Sequence, residues 1–262
     1  MNAIHSKVLE RRRLSALPVT VKPMSNAVAM PPAVAQLWEQ PPPPRRGPRP
    51  RFSVDQVAAA AVRVADREGL VGLSLAGVAA DLGLTTTGLY RYVDSKDTLV
   101  EVAIDHALGP GVPITARSWR GAVRQWAQAY WRVHRAHEWL SDVRPSGLPR
   151  TPNPLLWIEQ LLAVLQPVVP IRDPMSNVLL IEGLVRGYAG IRGPSPRDTS
   201  DRATAVLAQL QRRPEVFSQL LRVGQRDYAD LERELSAALE VVLDGLATSS
   251  NDTRPARSAR RK

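Results

Sequence analysis

Thr85, Thr86 and Thr87 stand in a row, and Gly88, Tyr90, Tyr92 and Lys96 follow shortly after. Hydroxyls of this kind hydrogen-bond phosphate oxygens, and a threonine also reads either base type weakly or touches a thymine methyl. A lysine beside a helix amino end joins a mobile cation to free backbone amides, which suits an anion. Each tyrosine has a second reading as a ring packed in the core, and one ring can do both jobs. Between Thr85 and Tyr92, Arg91 is the only long donor. These residues therefore suit shape and phosphate recognition better than bidentate reading of bases.

Such groups need a scaffold that turns them outward. Ala79-x3-Gly83-x5-Leu89 has the spacing of a helix-turn-helix. The small alanine lets two helices approach, the glycine takes a positive φ between them, and Leu89 anchors the second helix so that its other face can enter a major groove. Ser53 and Gln56 form a capping box that opens a helix with Val57, Ala61 and Ala65 on its apolar face, ended by Gly69 as a left-handed cap. Ser74 is expected to cap a second helix to about Leu82, a recognition helix to run from about Thr86 to Tyr92, and Ser95 to cap a fourth helix, with Asp97 near its positive end.

The segment Ser53–Leu108, with "GLYRYV" and "SKDTLV" after the turn, resembles the DNA-binding domain of the TetR (tetracycline repressor) family of regulators. That resemblance implies an all-α fold, with a three-helix helix-turn-helix head on a larger helical domain for ligand binding and dimerisation. It places the DNA contacts at Thr85, Thr86, Thr87, Gly88, Tyr90, Tyr92 and Lys96, with Thr86, Thr87 and Gly88 toward base edges and the tyrosines and lysine toward phosphates. Members often carry a cation near the start of the preceding helix, where this chain has Leu75-Ala76-Gly77. Compensation is expected from Arg49 and Arg51, at the end of a basic arm suited to the minor groove.

The net charge of +10 is unevenly placed. Residues 1–51 carry +7 and 248–262 carry +4, whereas 52–108 carry −4. Basicity thus does not itself make the head a DNA reader; basic tails can steer the chain to phosphates or simply stay solvated. Four segments follow: a disordered Pro/Arg-rich leader at 1–51, the head at 52–108, an effector-binding and dimerisation domain at 109–247, and a disordered basic tail at 248–262. Ten of the 23 prolines lie in the leader, which favours extended chain over a packed element.

Beyond the head the pattern stays helical. Ser118 to about His137 is one helix, Asn153-Pro154 opens another to about Gln166, and Asp173-Pro174 opens a third to about Ile191. Helices are also expected over about Arg202–Arg213, from Pro214 to Val223, and from about Gln225 to Leu246, the last with Tyr228, Leu231, Leu235, Leu239, Val242 and Leu246 on one face. Five of the six tryptophans fall between Trp119 and Trp157, forming either an aromatic core or a cavity lining. With the family's habit of placing an effector pocket here, Trp126, Tyr130, His134, Trp157, Arg186 and Tyr188 are the candidates to hold a largely apolar small molecule. The last helix and the one opened by Asp173-Pro174 are the expected dimer surfaces, the latter because Gly183, Gly187 and Gly190 would let a partner helix approach closely; a homodimer is expected, with two heads matching a palindromic operator on double-stranded DNA.

Other classes fit poorly. The chain has no cysteine, and His134 with His137 is too few ligands for zinc. No phosphate-cradling glycine loop, metal cluster or nucleophile elbow appears, so neither an enzyme nor a cofactor is expected. No run is long and apolar enough to span a membrane and no signal peptide is evident, so a cytoplasmic protein is expected. Two further readings are an activator built on the same head and a non-enzymatic adaptor using the proline-rich leader.

Overall fold

The computed structural model describes residues 30–39, 51–145, 147–166, 174–191, 199–223 and 230–252. Among these it is all-α, with eleven α-helices and one 3-10 segment. None of the described helices is long and apolar enough to cross a membrane.

The first described element is a helix, within the stretch where an extended leader was expected. Helix α1, Pro32–Trp38, starts after Pro31 with a proline in its first turn, the one helical position where the missing amide costs nothing. Ala33 and Val34 are buried and Leu37 packs against the core. Two alanines, a valine and a leucine on one short helix supply the apolar face that proline counting overlooks.

The head is built from four helices. In α2, Val54–Gly72, Gln56 N donates to Ser53 Oγ at 3.1 Å and Ser53 N to Gln56 Oε1 at 2.9 Å. Val57, Ala61 and Ala65 are buried as their spacing requires. Gly69 takes φ 72° but ψ 173°, so it is a kink rather than a left-handed helical cap, and a further turn follows it to Gly72. Ser74 caps α3, Leu75–Asp81. Gly83 at φ 62° then closes a Schellman turn, with Leu84 N bonded to Ala79 O at 2.8 Å and Gly83 N to Ala80 O at 3.0 Å.

Helix α4 spans Thr86–Leu89, shorter than expected. Residues 90–92 leave the α-helix in a tighter turn, with Tyr92 N on Leu89 O at 2.9 Å. Ser95 caps α5, Lys96–Leu108, its Oγ accepting from Thr98 N at 3.0 Å. Leu73, Ala79, Leu89 and Leu99 are fully buried between these helices. Arg63 on α2 reaches Asp81 at the end of α3 at 2.6 Å, linking the two helices at the surface.

The body follows. Ser118 caps α6, Trp119–Ala136, and a 3-10 segment, Glu138–Asp142, comes next. Helix α7, Pro152–Leu165, starts two residues earlier than the Asn153-Pro154 pair suggested, with Thr151 at the cap and no side-chain cap bond. Asn153 is not the cap because its amide is engaged elsewhere, on Asp105. Helix α8 spans Pro174–Ala189; Asp173 lies outside the described residues.

Helices α9, Thr199–Gln211, and α10, Ser218–Val223, are shifted from their expected bounds, as local signals place ends only to within a few residues. Helix α11, Leu231–Asp252, continues past Thr248, where a disordered tail was expected to begin; Tyr228 and residues 253–262 lie outside the described residues. Leu231, Leu235, Leu239, Leu243 and Leu246 form its buried face, with Val242 at the margin. Arg124 donates to Glu240 at 2.7 Å and Arg120 meets Asp244 at 2.7 Å, joining α6 to α11.

Candidate nucleic-acid interface and the buried aromatic cluster

The turn closed by Gly83 presents α4 with Leu89 fully buried beneath it. Thr85, Thr86 and Thr87 are all exposed, and Gly88 is half-buried. They are not equivalent. Thr85 Oγ1 accepts from Gly88 N at 3.1 Å, so its hydroxyl serves the helix start, and a Cβ at position 88 would lie 3.3 Å from that oxygen. Thr86 and Thr87 carry the outward hydroxyls.

The tyrosines also divide. Tyr90 is 52% exposed, as a phosphate contact requires. Tyr92 is half-buried, meets Phe52 edge-on at 6.3 Å, and its hydroxyl accepts from Phe52 N at 3.3 Å. Its ring braces the entry of α2, while its hydroxyl proton stays available as a donor. Lys96 is exposed at the first position of α5. Arg51 is exposed with its guanidinium 5.3 Å from the Phe52 ring centre, whereas Arg49 lies outside the described residues. In the stretch that lacks a cation, Ala76 is exposed and Leu75 and Gly77 are half-buried.

In the body, four of the six candidate effector residues meet. Trp126 stacks on Tyr130 at 4.7 Å, Tyr130 lies 4.3 Å from His134, and Trp157 closes on Trp126 and Tyr130 at 5.6 and 5.2 Å. Helical spacing on α6 lines up the first three; only the packing of α7 brings in Trp157. The indoles are anchored: Trp126 Nε1 donates to Trp157 O at 2.9 Å, and Trp157 Nε1 donates to the carbonyls of Leu108 and Gly109 at 3.2 Å. Trp157 thereby caps the carboxy end of α5, the last helix of the head.

Arg186 joins this cluster through a residue that spacing did not single out. Tyr130 Oη donates to Glu182 at 2.9 Å, and Arg186 lies 3.7 Å from the same carboxylate, one turn along α8. Arg186 also donates to Val143 O. The i,i+4 Glu182/Arg186 pair was the available signal. Burial, and then the Glu182 charge, hold the Tyr130 phenol well above its ordinary pKa. Burial chiefly, with Arg186 and His137 adding to it, lowers His134 to about 4. It stands neutral at pH 7, donating Nδ1–H to Tyr130 O at 3.1 Å. Tyr188 is half-buried against the core, and no ring contact joins it to the cluster among the described residues.

Three carboxylates of the head, in pairings that no local pattern announces, tie it to the body. Asp66 on α2 accepts from His137 and Trp139. Glu101 on α5 accepts a forked pair from Arg150, the shorter at 2.6 Å. Asp105 on α5 accepts from Asn153 N at 2.8 Å and Nδ2 at 2.9 Å. Burial raises the Asp105 carboxyl above its ordinary value, while bonds from Asn153 and Thr151 pull it down.

This arrangement can be compared with known proteins. The chain overlays apo ActR of Streptomyces coelicolor with a TM-score of 0.65 at 20% identity, covering 79% of this chain and all of that one. It overlays SCO7222, a TetR of the same organism, at 0.59 and 24% identity, covering 78% and 100%. The fold is that of the TetR family. ActR with this fold is also known in complex with actinorhodin. In sequence, the chain is 36% identical over 158 residues to the HTH-type transcriptional repressor DrrR1 of Streptomyces coeruleorubidus, covering 58% of each. It is 29% identical over 119 residues to an HTH-type transcriptional regulator of Saccharopolyspora erythraea, covering 45% of this chain and 50% of the relative. The chain thus spans about half the length of these relatives. No family model matches it.

Proposed function

We propose that this chain is a cytoplasmic DNA-binding transcriptional repressor of the TetR type. Its homodimer binds a palindromic operator and is released by a small, largely apolar effector. The observation that carries this reading is α4: a short helix on a glycine turn, anchored by Leu89, with Thr86 and Thr87 outward and Tyr90 and Lys96 exposed near it. Thr86 and Thr87 touch bases, Tyr90 and Lys96 hold phosphates, and Arg51, with Arg49, adds backbone or minor-groove contacts.

Helix α8 supports the dimer. Leu179 and Leu180 are exposed, and Gly183 and Gly187 leave open space where a Cβ would stand. A two-fold partner laid on this face would set the heads about 34–36 Å apart, one turn of DNA. The effector reading rests on Trp126, Tyr130, His134 and Trp157 together, with Glu182 and Arg186 as polar anchors. The complex of ActR, which shares this fold, with actinorhodin supports the effector reading. Because the rings here are in mutual contact, a ligand must part them, and Trp157 would carry that movement to the end of α5.

The test is a gel shift with the promoter region upstream of the chain's own gene. Retarded bands that survive unrelated competitor DNA and weaken with salt support the reading. Equal retardation of every duplex rejects it. Transcription from that promoter in a reporter assay then separates repressor from activator.

A further inference from the structure

Helix α1 lies outside the helix-turn-helix and has no part in the reading above, yet its contacts are specific. Seven residues are too few to hold a helix in water alone, so α1 exists because it is docked. Ala33 and Val34 are buried at 2% and 0% exposure, facing α5 and α2 of the head. At its end Trp38 is half exposed, but its Nε1 donates to Arg150 O at 2.9 Å, across 112 residues of chain. That carbonyl belongs to the body. The side chain of the same Arg150 grips Glu101 on α5. Helix α5 is therefore held to the segment before α7 twice near one point, by Arg150 directly and by α1 over its back.

We propose that α1 is an intramolecular strap that positions α5, with Trp38 as a positioning residue for operator recognition. Its apolar face seats on the head and its indole ties to the body, so the tilt of α5 depends on a segment outside the DNA-reading unit. Loss of the tie leaves α5 free to sample tilts in which Lys96 and α4 miss the duplex. The competent fraction falls, apparent affinity falls with it, and less effector is needed for release. The operator part of this proposal rests on the regulator reading; the strap itself does not.

The experiment uses the full chain and two variants, Trp38→Phe, which keeps a ring but has no donor, and Val34→Asp, which unseats the helix. Amide hydrogen exchange is followed without DNA over residues 96–108 and 147–153. Both variants are expected to exchange faster in both segments, and to bind operator about threefold to tenfold more weakly, the span of one net hydrogen bond. Unchanged exchange at 147–153 in both variants overturns the strap, since α1 would then belong to the head core alone. Faster exchange with wild-type operator affinity overturns the positioning role. If wild-type protein shows no specific shift, the regulator reading fails, and exchange alone decides whether α1 ties head to body.

Discussion

Trp139 Nε1 donates to Asp66 Oδ1 at 2.8 Å, joining the 3-10 segment of the body to the first helix of the head across 73 residues of chain. His137 Nδ1 meets both oxygens of the same carboxylate, at 2.8 and 3.1 Å. One carboxylate thus satisfies an indole and an imidazole from the far domain. Asp66→Ala leaves a part-buried indole N–H unpaired, a loss of about 1–3 kcal/mol. Urea unfolding should show the lower midpoint. If the tie also makes head and body unfold together, the variant's single transition will broaden or split.

His134 predicts a pH dependence. Its folded pKa of about 4 lies below the ordinary 6.5, so the unfolded chain binds the proton first. The stability contributed by keeping this ring neutral is full above pH 6.5. It is lost as pH falls toward 4, reaching roughly 3 kcal/mol at the acid end. His134→Phe removes the titration, and the difference in unfolding free energy between variant and parent should change only inside that window. A parallel pair of curves from pH 7 to 4 would contradict the burial argument.

The Asp105 carboxylate is held by two donors of Asn153, its backbone N and its Nδ2, one on each oxygen, and an amide cannot replace it. Asparagine at 105 would accept through one oxygen and turn its own N–H groups toward those of Asn153. Asp105→Asn should cost about 1–3 kcal/mol despite relieving a buried charge. A gain in melting temperature would show that desolvation outweighs the hydrogen bonds.

At the DNA face, hydroxyls and the cation should separate in their effects. Lys96→Ala is expected to weaken every duplex alike and lower the slope of log K against log salt by about 1. Thr87→Ala should instead alter the ranking of operator variants while leaving that slope in place. Fluorescence anisotropy over a salt series distinguishes the two, and an unchanged slope for Lys96→Ala would remove it from the phosphate contacts.

Glu182 links Tyr130 to Arg186 inside the aromatic cluster. If this is the effector's polar anchor, Glu182→Gln should shift the effector concentration for half-release by about tenfold, the span of one charge-assisted bond. Effector-free operator affinity should stay at the parental value. A change in the latter with no change in the former would make Glu182 a structural residue only.

The head was legible in the sequence because its signals are local. A serine before an apolar period, a glutamine three residues on, and a glycine four residues after a small alanine each act on their own neighbours, and Ser53, Gln56, Ala79 and Gly83 sit where those rules place them. Spacing likewise put Trp126, Tyr130 and His134 on one face of one helix. Tertiary structure decided what those faces meet. Trp157 entering the cluster, Asp66 under Trp139, Asn153 turned from its cap to Asp105, and α1 folded against α5 are all pairings between distant segments. A residue's own neighbours carry no record of such a partner. Seven residues within a proline-rich stretch read as leader until the buried face of α5 is there to receive them, because burial, not propensity, stabilises so short a helix.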